Sequence, residues 1–85
     1  MSMTDIKALA EEARKQVPFG IYRHYKGNRY EVIGTAIHSE TLEPMVIYKA
    51  LYGTMETWVR PLSMWHETVT VDGNTVRRFQ LEQAE

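Results

Sequence analysis

At 85 residues, without a cysteine and with a formal net charge of −1, the chain holds one domain over residues 1–85 and no second core. The missing cysteines exclude a disulfide framework and a thiolate zinc site, and the near-neutral charge argues against indiscriminate attraction to nucleic acid. A hydrophobic fraction of 44% beside 25% charged residues disfavours disorder and leaves apolar packing as the source of stability.

The spacing of Ile6, Leu9, Ala10, Ala13 and Val17 predicts an amphipathic helix over about residues 4–16. Ser2 or Thr4 caps its start, Asp5 suits the positive end of its dipole, and Arg14 and Lys15 suit the negative end. Pro18 stops it, because the residue before a proline is pushed out of the α region. From Ile21 the apolar period shortens to two. Strands are expected over Ile21–Tyr25 and Arg29–Ile37, joined by a two-residue turn at Gly27-Asn28. That turn sets Tyr25 opposite Tyr30, His24 opposite Glu31 and Arg23 opposite Val32. The expected core face is then Ile21, Arg23, Tyr25, Tyr30, Val32 and Ala36. Further strands are predicted over Met45–Leu51, Thr57–Arg60, Thr68–Val71 and Val76–Leu81. One helical turn starts at Pro61, Asp72-Gly73-Asn74 makes a hairpin turn, and residues 82–85 form a short polar tail. A leading helix followed by five to six short strands predicts a mainly β fold. The expected form is a small antiparallel β-barrel over about residues 20–81, Sm-like or SH3-like in plan.

Three segments carry a family pattern: Tyr22-Arg23-His24-Tyr25-Lys26-Gly27, His38-Ser39-Glu40-Thr41-Leu42-Glu43, and Leu51-Tyr52-Gly53 followed by Trp58-Val59-Arg60-Pro61. With them the chain, from about Gly20 to Phe79, resembles a short bacterial family catalogued as domain of unknown function 1653. Trp65 stands where that family often has Phe, and Arg77-Arg78-Phe79 replaces a more usual Pro-Arg-Phe. The resemblance implies a bacterial origin and supplies no activity or site residue.

Charge is unevenly spread. Residues 13–30 carry Arg14, Lys15, Arg23, Lys26 and Arg29 with no acid among them. Such a run is a binding patch only if the fold keeps it together, and interleaved strands would dilute it. Beside it stand nine aromatic residues, most of which a small barrel needs for filling its interior. An exposed subset flanked by cations makes the candidate binding face: Tyr22, Arg23, His24, Tyr25, Lys26, Arg29, Trp58 and Arg60. The expected role is a non-enzymatic module recognising a protein or peptide through that face. The alternative is an Sm-like binder of single-stranded RNA, stacking bases on the rings and holding phosphates with the cations. Self-association through unpaired strand edges is compatible with either. The one stretch dense in chemistry is His38-Ser39-Glu40-Thr41-Leu42-Glu43, which an enzyme or metal site would have to use. Its spacing matches no ligand motif, and His24, His38 and His66 lie on separate elements. No catalytic residue, metal or cofactor is therefore assigned. The opening residues lack a basic and apolar leader and no apolar run is long enough to span a bilayer, so the expectation is a cytoplasmic protein without membrane contact.

Overall fold

The computed structural model describes residues 2–85. The chain is mainly β. Helix α1 (Met3–Gln16) leads into β1 (Gly20–His24), β2 (Arg29–Ile37), β3 (Pro44–Ala50) and β4 (Thr57–Pro61). A four-residue helix α2 (Leu62–Trp65) follows, then β5 (Thr68–Val71), β6 (Asn74–Arg77) and β7 (Phe79–Ala84). All strand pairs are antiparallel. No helix among the described residues is long and apolar enough to cross a membrane.

The start of α1 is fixed by a capping box. Ser2 Oγ accepts the Asp5 backbone N–H at 3.2 Å, and Asp5 Oδ2 accepts the Ser2 N–H at 3.2 Å. At the other end Val17 donates to the Ala13 carbonyl, and Pro18 forbids another turn. Ala13 and Val17, at 1% and 0% exposure, carry the buried end of the predicted stripe.

β4-β3-β2-β1-β7 form one five-stranded sheet, and β5-β6 a separate hairpin that is exposed along most of its length. In place of a closed barrel, the sheet is open, with β4 and β7 as its two edges. α1 and α2 pack against one face of it. Between them lies the core of Val17, Tyr22, Val32, Val46, Tyr48, Trp65 and Phe79. Burying an aliphatic or aromatic side chain of this size contributes roughly 1.5–3 kcal/mol, which in a domain without cross-links is the main favourable term.

Strand registers correct the expected faces. β1 pairs with β2 through Gly20↔Val32, Ile21↔Glu31, Tyr22↔Tyr30 and Arg23↔Arg29. The turn is a three-residue loop, Tyr25-Lys26-Gly27, closed by the His24 N–H donating to the Asn28 carbonyl at 2.8 Å, with Gly27 at φ 108°. An offset of an odd number of residues exchanges the faces of one strand against its neighbour. Tyr22 therefore points into the core, and Arg23 and Tyr25 leave it. This disposes of a cation on the core side, which the two-residue turn would have required. In β2 a bulge at Ile33, between Val32↔Tyr48 and Gly34↔Ile47, turns the rest of the strand over. Thr35 then lies beside buried Val46, while Ala36 is exposed.

The run read as one strand from Val76 to Leu81 is two. Asn74–Arg77 pairs with β5, and Phe79–Ala84 pairs with β1. Arg78 is the pivot, its N–H bonded to the Glu67 carbonyl and its carbonyl accepting from Tyr25 N–H, each at 2.9 Å. The supposed tail is likewise strand: Gly20↔Ala84 and Ile21↔Gln83 are paired, with Glu82 as the extra residue of a second bulge.

Candidate functional site

A cleft of about 300 Å³ opens where the β1–β2 turn meets β6 and β7, lined by Arg23, Tyr25, Lys26, Gly27, Val76, Arg77 and Gln80. Three cations line it and no carboxylate does. Each is there for a local reason. The three-residue turn presents Tyr25 and Lys26, and the Lys26 ammonium lies 5.8 Å from the Tyr25 ring centroid. The corrected register puts Arg23 on the outer face opposite Gln80 of β7. The hydrogen bond from Tyr25 to Arg78 fastens the turn to the β6–β7 crossing, and Arg77 is the residue just before that crossing.

Glu82 borders this group. Its Oε1 accepts from Arg29 Nε at 2.6 Å, and its Oε2 lies 3.9 Å from Arg23 Nε. Arg23 and Arg29 are directly opposed on adjacent strands, and the bulged carboxylate relieves their repulsion. The Arg29 bond holds the Glu82 carboxyl below its usual value. Both arginines keep over half of their side chains exposed, and it is Arg29 that makes the short bond to Glu82 while Arg23 stays at 3.9 Å.

Behind the cleft runs a wall of rings and polar groups. His24 contacts Tyr25 at 4.6 Å and Phe79 at 5.0 Å between centroids, and Arg60 Cζ sits 5.6 Å above the Phe79 ring. Glu67 lies 4.0 Å from Arg60 and 3.9 Å from Arg78, whose buried Nε has no hydrogen-bond partner among the described residues. Tyr30 and Tyr52 share a hydroxyl–hydroxyl bond of 2.7 Å. Burial first, and that bond second, push Tyr30 up to about 12. His24 Nδ1 accepts the Lys26 backbone N–H at 3.2 Å, so a neutral ring carries its proton on Nε2. Burial, with Arg78, Lys26 and Arg60 nearby, lowers its pKa.

This has a measurable consequence. The unfolded chain takes up the His24 proton at a higher pH than the folded one, so the sign is unfavourable to folding in acid. Stability present above about pH 6.5 is expected to fall as pH drops toward the depressed folded value. Melting curves of the parent and of His24→Gln at about pH 7.5 and pH 5.5 check it, the variant losing less over that interval. Equal losses would remove His24 as the cause.

Of the residues singled out by sequence, Arg23, Tyr25 and Lys26 come together in the cleft, and His24 stands behind them. Tyr22 belongs to the core at 5% exposure, its hydroxyl donating to the Pro18 carbonyl at 2.6 Å. Arg60 leans on Phe79 behind the cleft. Trp58 lines a separate depression with Tyr52 and Met55. Arg14 borders another hollow beside Phe19, so the basic run does not form one patch. Sequence reasoning missed Arg77, Val76 and Gln80. The only signal was the Arg77-Arg78 pair, hidden inside an apparently continuous strand. The loop after β2 is organised by its own backbone: His38 Nδ1 accepts from the Glu40 and Thr41 N–H groups, and Thr41 Oγ1 from that of Glu43. Among the described residues no three His, Asp or Glu side chains converge as a metal site would require.

The model of a family described as a protein of unknown function, DUF1653, matches residues 20–81, which is β1 through the first half of β7. The chain belongs to that family. A crystal structure of a DUF1653 protein from Bordetella bronchiseptica is similar to it at 34% identity and a TM-score of 0.75, covering 84% of this chain and 94% of the other. No curated protein matches. The DUF1653 match begins at Gly20 and leaves α1 outside it, while the turn, the crossing and the whole cleft lie within.

Proposed function

We propose that the protein is a non-enzymatic binding module that takes an acidic, extended polypeptide segment into the cleft beside the β1–β2 turn. The observation that carries this is the lining of Arg23, Lys26 and Arg77 around the Tyr25 ring without an acid. Carboxylates of a partner would find three cations converging on one concavity, with Gln80 to donate a hydrogen bond and Val76 to meet aliphatic stems. The return of β7 to the edge of β1 and the leading helix fit a small barrel of the Sm-like or SH3-like kind, laid open between β4 and β7. That likeness supports a binding role by architecture alone. A bacterial, cytoplasmic setting belongs to the same reading, and the Bordetella relative supports its first half.

A peptide fits better than single-stranded RNA because the rings are dispersed. Stacking of successive bases needs a row of exposed aromatics. Tyr22 and Trp65 are buried, and Tyr52 and Trp58 line a different depression from Tyr25. One ring faces the cations.

Fluorescence anisotropy with a labelled hexaglutamate peptide, a hexalysine peptide and an oligouridylate tests this. Hexaglutamate is expected to bind at low salt and hexalysine not at all. Lys26→Glu and Arg77→Glu, both at exposed positions, should each weaken hexaglutamate roughly 5- to 20-fold. Tighter binding of the oligouridylate, or reversals without effect, would overturn the reading.

A further inference from the structure

We infer that β4 is the seam of a symmetric dimer, in which two copies pair their β4 strands antiparallel about a two-fold axis at Trp58. The sheet has two open edges, and they are unlike. β7 is defended: it is bulged at Glu82 and exposes Gln80, Glu82 and Gln83. β4 has none of these devices along Thr57-Trp58-Val59. It pairs with β3 without a register shift, and it exposes Trp58 at 55% and Val59 at 60%. An unbulged edge with large apolar side chains on both faces is a template for another strand.

The phase of the backbone says which strand. Ala50 N–H donates to the Glu56 carbonyl at 3.0 Å, in the same register that pairs Tyr48 with Trp58 and Val46 with Arg60. Hydrogen-bonded pairs alternate along an antiparallel ladder, so Glu56, Trp58 and Arg60 direct their backbone groups to β3. Those of Thr57 and Val59 therefore point outward, and Pro61, next in the outward series, has no N–H to offer. With the axis at Trp58, Thr57 of each copy lies opposite Val59 of the other. Every outward N–H and carbonyl of Thr57 and Val59 is then matched, giving four new bonds.

Side chains favour the same register. Trp58 meets its own copy in a non-hydrogen-bonded pair, the closer of the two pair types, and the two half-exposed indoles cover each other. Glu56 falls opposite Arg60 of the second copy, and Arg60 opposite its Glu56, so charge is complementary twice. Moving the axis to Val59 keeps four bonds but places Glu56 opposite Leu62 and forfeits both charge pairs. The occupant of this edge is therefore a second copy of the chain.

Sedimentation equilibrium of the whole chain, with amide hydrogen exchange over Thr57–Val59, tests the seam. A dimer is expected, with Thr57 and Val59 amides gaining protection as concentration rises. Glu56→Lys, at an exposed position, sets like charges opposite each other and should weaken the dimer more than about tenfold. The exchanged pair Glu56→Lys with Arg60→Glu should restore it. Val59→Pro removes only an outward N–H and should give a folded monomer by circular dichroism. A parent chain monomeric to about 1 mM overturns the proposal, as does a dimer indifferent to Glu56→Lys and Val59→Pro.

Discussion

Trp65→Ala is expected to lower the unfolding free energy by about 3–5 kcal/mol, a large share of the roughly 4–13 kcal/mol that a chain of this length possesses. The indole is 1% exposed and lies face to face with Phe79, centroids 4.1 Å apart and planes 3° from parallel. Tyr22 and Tyr48 present ring edges to it at 5.4 Å and 5.1 Å. Three strands, β1, β3 and β7, thus meet at one side chain, which a four-residue helix carries. α2 has no side-chain cap and is too short to hold itself; Pro61 presets its entry and burial of Trp65 secures it. Truncation leaves a void that α2 cannot fill without leaving Phe79, so the cost exceeds transfer of the indole alone. Trp65→Phe keeps a ring on Phe79 and should cost less than about 2 kcal/mol. Urea titrations of the three chains check the order. A Trp65→Ala loss below about 0.5 kcal/mol, inside the range of ordinary surface changes, would show that the stack is not what joins the strands.

What could be read in the sequence followed from local rules. Helix α1 and its stop at Pro18 depend on residues within a turn of each other and are found where the pattern places them, and of the two candidate caps, Ser2 and Thr4, it is Ser2 that closes the start. The strand positions of β2, β3, β4 and β5 and the helical turn after Pro61 were legible for the same reason. Registers were not. Gly27-Asn28 suits a two-residue turn and equally a three-residue loop ending on Gly27, and the two choices put opposite faces of β1 inward. Packing decides between them, because Tyr22 finds Trp65 and the Pro18 carbonyl inside, whereas Arg23 would find no partner there. The bulges at Ile33 and Glu82 are equally invisible locally, since a strand with one extra residue reads as a slightly longer strand. Closure of the sheet is a property of β4 against β7, at opposite ends of the order, and no periodicity reports it.

The site divides along the same line. Arg23, Tyr25 and Lys26 were legible because a cation-rich turn after a strand is a local feature. Arg77, Val76 and Gln80 join them only through the pairing of β1 with β7 and the pivot at Arg78. Arg29 looked equivalent to its neighbours until Glu82, displaced by the bulge, claimed it. The basic run is therefore partly a patch and partly diluted. Of its five cations, Arg23 and Lys26 reach the cleft, Arg29 is paired with Glu82, and Arg14 lies beside Phe19 in another hollow.

The pairing that builds the cleft tolerates little change at its tightest point, and Gly20→Ala should show it with a loss of about 2–4 kcal/mol. Gly20 begins β1 at φ +145°, a conformation that side chains disfavour, so alanine is strained there whatever the space. The space is missing as well. A Cβ would press into the Gln83 carbonyl oxygen and meet Ala84 Cα and the Glu85 nitrogen at 3.0 Å, all of them backbone. A rotamer change cannot relieve such a contact; β7 has to move away from β1. Glu85 N–H, bonded to the Phe19 carbonyl at 3.0 Å, would be lost first, then Gly20↔Ala84. Separation of β7 pulls Gln80 from Arg23 and loosens the crossing that carries Arg77, so hexaglutamate binding should weaken although no residue of the cleft is altered. Exchange of the β7 amides and a urea titration of Gly20→Ala separate the two effects. Gly27→Ala, a positive-φ glycine with open space around it, serves as the control with strain and no collision. If both variants lose the same stability, backbone strain alone explains Gly20, and the close approach of β7 contributes nothing.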